Sequence, residues 1–400
     1  MRKSILWFIG ITTVMCIGYF ILEKVNGRGQ MADFRVYYDA AYAFLLDDQV
    51  YGRAYGVSSG FYKYSPFACI PFIPLSVLQY NIASVIYYLL ITAGICWMMI
   101  LLVQYISKNE SKLESRIGTA FLLISLFMAD HLERELHLGN VNLFLLIGVF
   151  FIYRWLKNND QFKAGIGYAV ILLFKPHFLI LLPYFAWKKK WKTLSIAFVA
   201  LIAGILIPTL ITGYTDNIRL HAEWLHAMRD HNVKLEDSPN TLYGIVNHFI
   251  IGNHGGSWLI LLMLALTAGL FLALMQRNKK VYGSSQIHFV EFFILVALIP
   301  NLTHTDTEHF MWTWPLIAYS LIFILQKEFP YKRIIIIAML MAFIPYTLNS
   351  PDIVGKKIRY LFDEGGLLGL ANVIFIVGAV VISNAVVKNL TSPVQSGKGI

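Results

Sequence analysis

Charge is scarce in this sequence: Lys, Arg, Asp and Glu make up 14% of its 400 residues, against roughly 25% in ordinary soluble domains. The shortage excludes a chain that hides its 57% apolar residues in its own core while facing water all round. Extended polar stretches are also missing, so no separate soluble domain is expected, and residues 1–400 read as a single integral membrane domain. Cysteine is nearly absent. Cys16, Cys69 and Cys96 each sit in or beside an apolar run, which excludes a disulfide framework and a C-x-x-C metal site. No glycine-rich phosphate loop or H-E-x-x-H pattern occurs, so a cytosolic nucleotide-sugar site is disfavoured and neither a metal nor a cofactor is assigned.

Apolar runs are what the chain has in abundance. A helix needs about 20 apolar residues to cross a bilayer, and backbone groups in lipid must bond internally, which forces helices. Residues 4–22, preceded by Arg2 and Lys3, are too long for a signal-peptide core and lack a small-x-small cleavage site, so they read as an uncleaved first span. Further spans are expected near residues 81–105, 117–128, 141–153, 193–212, 258–275, 287–300, 310–325, 334–348 and 367–387. Between residues 164 and 187, Lys175-Pro176 interrupts an apolar stretch that ends in four lysines. Proline cannot sustain helical hydrogen bonding, so two short helices turning there are predicted, which returns the lysines to the cytoplasmic side.

The expected fold is therefore all-α, a polytopic membrane helical bundle of about twelve transmembrane helices, with both termini cytoplasmic and residues 388–400 as a cytoplasmic tail. In this topology the inner side carries 20 of the 33 basic residues and four of the 23 acids, as the positive-inside rule demands. The overall basicity then answers to membrane lipids, and no nucleic-acid partner is implied.

Polar chemistry collects on the outer side. Residues 23–80 form a first outer loop, with an amphipathic helix and a re-entrant patch broken by Pro71 and Pro74; residues 213–256 form a second. Ten of the eleven histidines lie outside, all but His288. In the first loop Asp33, Val36, Tyr37, Ala40, Ala41 and Phe44 share one face at helical spacing,. A carboxylate there either caps the helix or accepts a proton from a sugar hydroxyl. Tyr62-Lys63-Tyr64-Ser65-Pro66 follows, and taken alone reads as an interfacial aromatic belt,. Lys175, beside Pro176 and His177, either snorkels or pairs with a lipid-linked phosphate,. His131 to Asn142, including His137 and Asn140, read as a turn before the fourth span; Asn301 to His309, with His304, Asp306 and Glu308, read as another, ahead of Trp312 and Trp314.

These segments together resemble the family 87 glycosyltransferases, polyprenyl-phosphate-hexose-dependent enzymes that include mycobacterial mannosyltransferases. The likeness is carried by Asp33-Phe34-Arg35-Val36-Tyr37-Tyr38 with Ala40-Ala41 and Tyr51, by Tyr62 to Pro66, by Gly139-Asn140-Val141-Asn142, and by Lys175-Pro176 followed by basic residues. It implies a type C glycosyltransferase fold with the active site at the outer face and Asp33 as the general base. It further implies a polyprenyl-phosphate donor carrying a hexose, commonly mannose, and leaves a lipid or glycan acceptor unspecified. The family more often has glutamine where Asn140 stands. Under this reading Arg35, Lys175 and His177 bind the donor phosphate, and Tyr37, Tyr62, Lys63, Tyr64, His137, Asn140, Asn142, His304, Glu308 and His309 are the substrate-binding candidates. Transfer inverts the anomeric centre, and the protein resides in the cell membrane. The alternatives are another lipid-dependent polysaccharide ligase or polymerase, or a secondary transporter; the latter predicts internal repeats and buried mid-span charge, whereas Glu291 is the one obvious intramembrane acid.

Overall fold

Every long apolar run folds as a helix, since only internally bonded backbone survives where lipid replaces water. The structure, a computed structural model, describes residues 2–56, 60–107, 116–230, 238–252, 256–278, 285–303 and 306–391. Beside its helices the described chain has one two-residue antiparallel ladder, pairing Ala54 with Phe61 and Tyr55 with Gly60. It is an all-α polytopic membrane protein. Two units are distinguished, one of residues 1–100 and 131–234, the other of residues 101–130 and 235–400.

The first unit begins with α1 (Arg2–Val25) and α2 (Ala32–Leu45). A 3-10 segment, Pro66–Phe72, leads into α3 (Ile73–Ser76). Pro71 and Pro74 keep this apolar patch from becoming one continuous helix,. The unit boundary then falls within α4 (Tyr80–Ser107) and α5 (Ile117–Leu138). Next come α6 (Asn142–Lys157) and α7 (Gln161–Phe174), with Asp160 capping α7 by accepting from the Lys163 N–H at 3.2 Å,.

At Lys175 the backbone is extended, with φ −135° and ψ 103°, as favoured before a proline. A 3-10 turn, Pro176–Leu181, and α8 (Leu182–Trp187) follow. The Tyr168 and Phe185 rings lie 4.8 Å apart and the Tyr168 hydroxyl donates to the Phe178 carbonyl at 3.1 Å. A straight helix would hold residues 168 and 185 about 25 Å apart. The chain therefore doubles back at Lys175-Pro176, as that dipeptide predicts. α9 (Trp191–Leu206), α10 (Thr209–Thr212) and α11 (Tyr214–Asp230) complete the unit. The second expected outer loop is thus partly helical.

Apart from its shares of α4 and α5, the second unit consists of α12 (Leu242–Phe249), α13 (Ser257–Asn278), α14 (Ser285–Leu302), a 3-10 segment Thr307–Thr313, α15 (Trp314–Gln326), α16 (Lys332–Thr347), α17 (Pro351–Glu364) and α18 (Leu367–Thr391). Buried amides lock it. Asn372 donates to the Ala297 carbonyl at 2.8 Å and to Asn301 at 2.7 Å, and accepts from Thr313; Asn301 donates to the Asn240 and Gly369 carbonyls at 3.1 Å.

Among the described residues five helical stretches are long and apolar enough to cross a membrane: Arg2–Val25, Tyr80–Ser107, Trp191–Thr212, Trp258–Arg277 and Leu367–Ala385. The pair α5 and α6, bent by 118°, makes a sixth if taken as one span. The remaining apolar helices are shorter, because prolines and polar breaks divide them. α5 also runs on through His131 and His137 to Leu138, where a turn was expected from residue 131. Asp130 to Leu138 are helix-compatible throughout, and the turn waits for Gly139, whose φ is +68°,.

Candidate active site

α2 presents Asp33 from its first turn. Met31, with left-handed φ 47°, occupies the cap position and makes no side-chain capping bond. Asp33 is therefore not the N-cap, although a carboxylate in the first turn still favours the helix dipole. The face proposed from spacing is real: Val36, Tyr37, Ala40, Ala41 and Phe44 are all buried. Phe34 joins them, its ring stacked on Tyr87 at 4.3 Å.

Asp33 meets the turn after α5. Asn140 Nδ2 donates to Asp33 Oδ2 at 2.6 Å, and Tyr37 donates to Asn140 Oδ1 at 3.3 Å. This approach requires glycine beforehand: a Cβ on Gly139 would stand 2.7 Å from Phe34 Cβ and 2.8 Å from Met31 Cε. Glu135, buried one turn earlier, accepts from the Leu143 N–H at 2.7 Å and so ties the end of α5 to the start of α6.

Lys175 reaches the same assembly from the α7 break. It is 5% exposed, donates to Asn142 Oδ1 at 2.6 Å, and lies 5.7 Å from the centre of the Tyr64 ring. Tyr64 and Tyr37 hydroxyls are 3.1 Å apart. A continuous series thus runs Asp33, Asn140, Tyr37, Tyr64, Lys175, and Asn142 anchors its basic end. Burial, then Tyr64 and Asp33, holds the Tyr37 phenol well above its ordinary pKa, so it stays a neutral donor,. The aromatic segment is fixed by Ser65 Oγ donating to the Leu173 carbonyl at 2.6 Å and Tyr51 donating to the Tyr64 carbonyl at 2.7 Å. Trp224 of α11 donates to the Lys63 carbonyl at 3.1 Å.

Other candidates are placed differently. Residues two apart on a helix point about 200° apart, and Arg35 faces away from Asp33, bonded to Asp39 at 2.6 Å with its guanidinium 4.4 Å from the Tyr80 ring centre. His137 sits 2.5 Å from Glu23 of α1. Tyr62 is buried among Tyr51 and Tyr64 and bonds the Ser65 carbonyl at 3.4 Å, a framework position. His177 is half-buried, within range of the Lys175 charge. In the second unit Glu308 and His309 are buried; His309 Nδ1 is 3.0 Å from the Asp306 carbonyl and its ring packs on Trp312. Trp312 and Trp314 are fully buried, and therefore offer no open face to a sugar. His304 lies outside the described residues. No group of three metal-ligating side chains occurs among the described residues.

The sequence gives no sign of Tyr87, and it holds Phe34 and Ser65 only as members of the motifs that carry the family likeness, because each works through a partner distant in the chain.

The family model of glycosyltransferase family 87 matches residues 61–300, and the chain belongs to that family. The matched region holds Asn140, Asn142 and Lys175 but ends short of Asp33 on its N-terminal side. The chain is also similar to an alpha-(1->3)-arabinofuranosyltransferase of Mycolicibacterium smegmatis, 25% identical over 271 residues, which cover 65% of this chain and 58% of the relative. The likeness thus spans little more than half of that protein's length. No solved structure matches the chain.

Proposed function

We propose that the protein is a glycosyltransferase that moves a sugar from a polyprenyl-phosphate donor to a lipid or glycan acceptor at the outer face of the cell membrane, with inversion. The observation that supports this most is one unit in which an Asp33 carboxylate and a nearly buried Lys175 ammonium are joined through Asn140, Tyr37 and Tyr64. Asp33 takes the acceptor hydroxyl proton as that oxygen forms its bond to the anomeric carbon. The bond from that carbon to phosphate oxygen breaks, and the departing lipid phosphate gains one negative charge. Lys175, with His177 beside it, stabilises that charge as it develops. Asn142 steadies Lys175. The phosphate departs without needing a proton, so no step calls on a cofactor.

The sugar has two candidates. The resemblance to polyprenyl-phosphate-hexose enzymes favours a hexose such as mannose, while the relative's name favours an arabinofuranosyl group. Purified protein offered polyprenyl phosphate bearing either sugar should release polyprenyl phosphate from one of them and yield a glycosylated lipid or glycan detectable by mass spectrometry. Asp33→Asn should reduce that turnover by about 10²- to 10⁴-fold, the usual contribution of a general base, while the variant purifies like the wild type. Near-wild-type turnover by Asp33→Asn would refute the base assignment and return the ligase, polymerase or transporter readings to the front.

A further inference from the structure

We infer that Asn140 is a positioning residue for the Asp33 carboxylate and does not grip the sugar. The inference rests on the reading of Asp33 as the base. Val141 N–H can only donate, and it lies 2.7 Å from Asn140 Oδ1. That contact settles which way the amide points: Oδ1 is the acceptor and Nδ2 the end turned to Asp33. Oδ1 also receives the Tyr37 hydroxyl, the Asn140 backbone carbonyl receives the Tyr87 hydroxyl at 3.2 Å, and the residue is 5% exposed. Oδ1 is engaged twice and one Nδ2 hydrogen is on the carboxylate, so a single N–H is left over in a residue that is 5% exposed,.

Its neutrality matters. A lysine or arginine in this place would orient Asp33 through an ion pair and thereby depress its pKa, making it a poorer base; an amide orients one oxygen and adds no charge. Titratable groups that face Asp33 include Tyr37 on its own helix and Tyr87 on α4; Tyr64, before the 3-10 segment, touches Tyr37, and Glu135 is close enough to act on Tyr87. Lys175 lies beyond Tyr64, and Arg35 and Asp39 pair with each other on another face of α2.

The test uses the full chain in phosphatidylcholine nanodiscs with polyprenyl phosphate bearing mannose or arabinofuranose, whichever is turned over, and follows kcat and KM against pH. Asn140→Asp sets a second carboxyl against Asp33, and two such groups share a proton. The acid limb of kcat/KM is expected to move upward by about one pH unit or more, with activity recovering at alkaline pH. Asn140→Ala is expected to lower kcat by roughly 10-fold or more with donor KM changed by less than about 3-fold. A raised KM with unchanged kcat would mean a sugar contact and overturn the proposal. Equal loss at every pH, with no shift of the limb in Asn140→Asp, would mean packing alone and also overturn it. Should Asn140→Asp fail to fold, Asn140→Gln restores an amide donor: an unmoved acid limb with lowered kcat is expected, and a moved limb overturns the proposal. Asp33→Asn in the same assay separates the two readings. An active Asp33→Asn sinks the base itself; an inactive one beside an unshifted Asn140→Asp sinks only the role of Asn140.

Discussion

Gly139 is the residue at which one added methyl group would be felt most. Its φ of +68° is strained for alanine, and the new carbon would press on Phe34 and Met31 at under 3 Å. Gly139→Ala should cost about 2–4 kcal/mol, read as a lowered thermal midpoint, and should cut turnover more than the loss of folded protein explains, because Asn140 is displaced with it. Lys175→Gln tests the other end of the series. It keeps a donor for Asn142 but removes the charge, so kcat should fall by roughly 10²-fold with folding intact; an unchanged kcat would remove Lys175 from the phosphate site. The residue types at both ends were legible from sequence as a carboxylate just after the first apolar run and a lysine at a proline break. Whether Asp33 was the N-cap or stood inside the first turn was not, since a sequence leaves a helix start open by a residue or two and a carboxylate suits either position,.

The breaks between helices matter as much as the helices. Lys175-Pro176 was legible as a reversal because proline has no N–H to continue the ladder, and the edge-on contact of Tyr168 with Phe185 bears this out. The end of α5 was not legible: residues 130–138 are largely polar yet helix-compatible, and polarity alone suggested a turn eight residues too soon. Asn372 in α18 is fully buried and serves Ala297, Asn301 and Thr313. Asn372→Ala should therefore cost about 2–4 kcal/mol by leaving several partners unsatisfied, measured by thermal unfolding in detergent. Arg219 on the exposed side of α11, paired with Asp47, Asp216 and Glu223, should by contrast change stability by less than about 1 kcal/mol when replaced by alanine.

The charge asymmetry of the whole chain implies which face of the membrane carries the Asp33 segment,. Cys16, Cys69 and Cys96 are buried, so a new surface cysteine can be followed against little background. A membrane-impermeant maleimide should label Asp48→Cys in intact cells and Asn158→Cys only after permeabilisation; the reverse pattern would put the Asp33 segment on the cytoplasmic side and end the outer-face reading. Composition by itself determined that this chain is a helical membrane protein, because apolar surplus and backbone hydrogen bonding are local demands that each segment must meet. Which polar side chains meet was settled by packing alone. Asp33 and Asn140 are 107 residues apart, and Asn142 and Lys175 are 33 apart; packing of α2 against the Gly139 turn, and the reversal of the chain at Pro176, bring them together. Nothing in the neighbourhood of any one of them in sequence encodes that meeting.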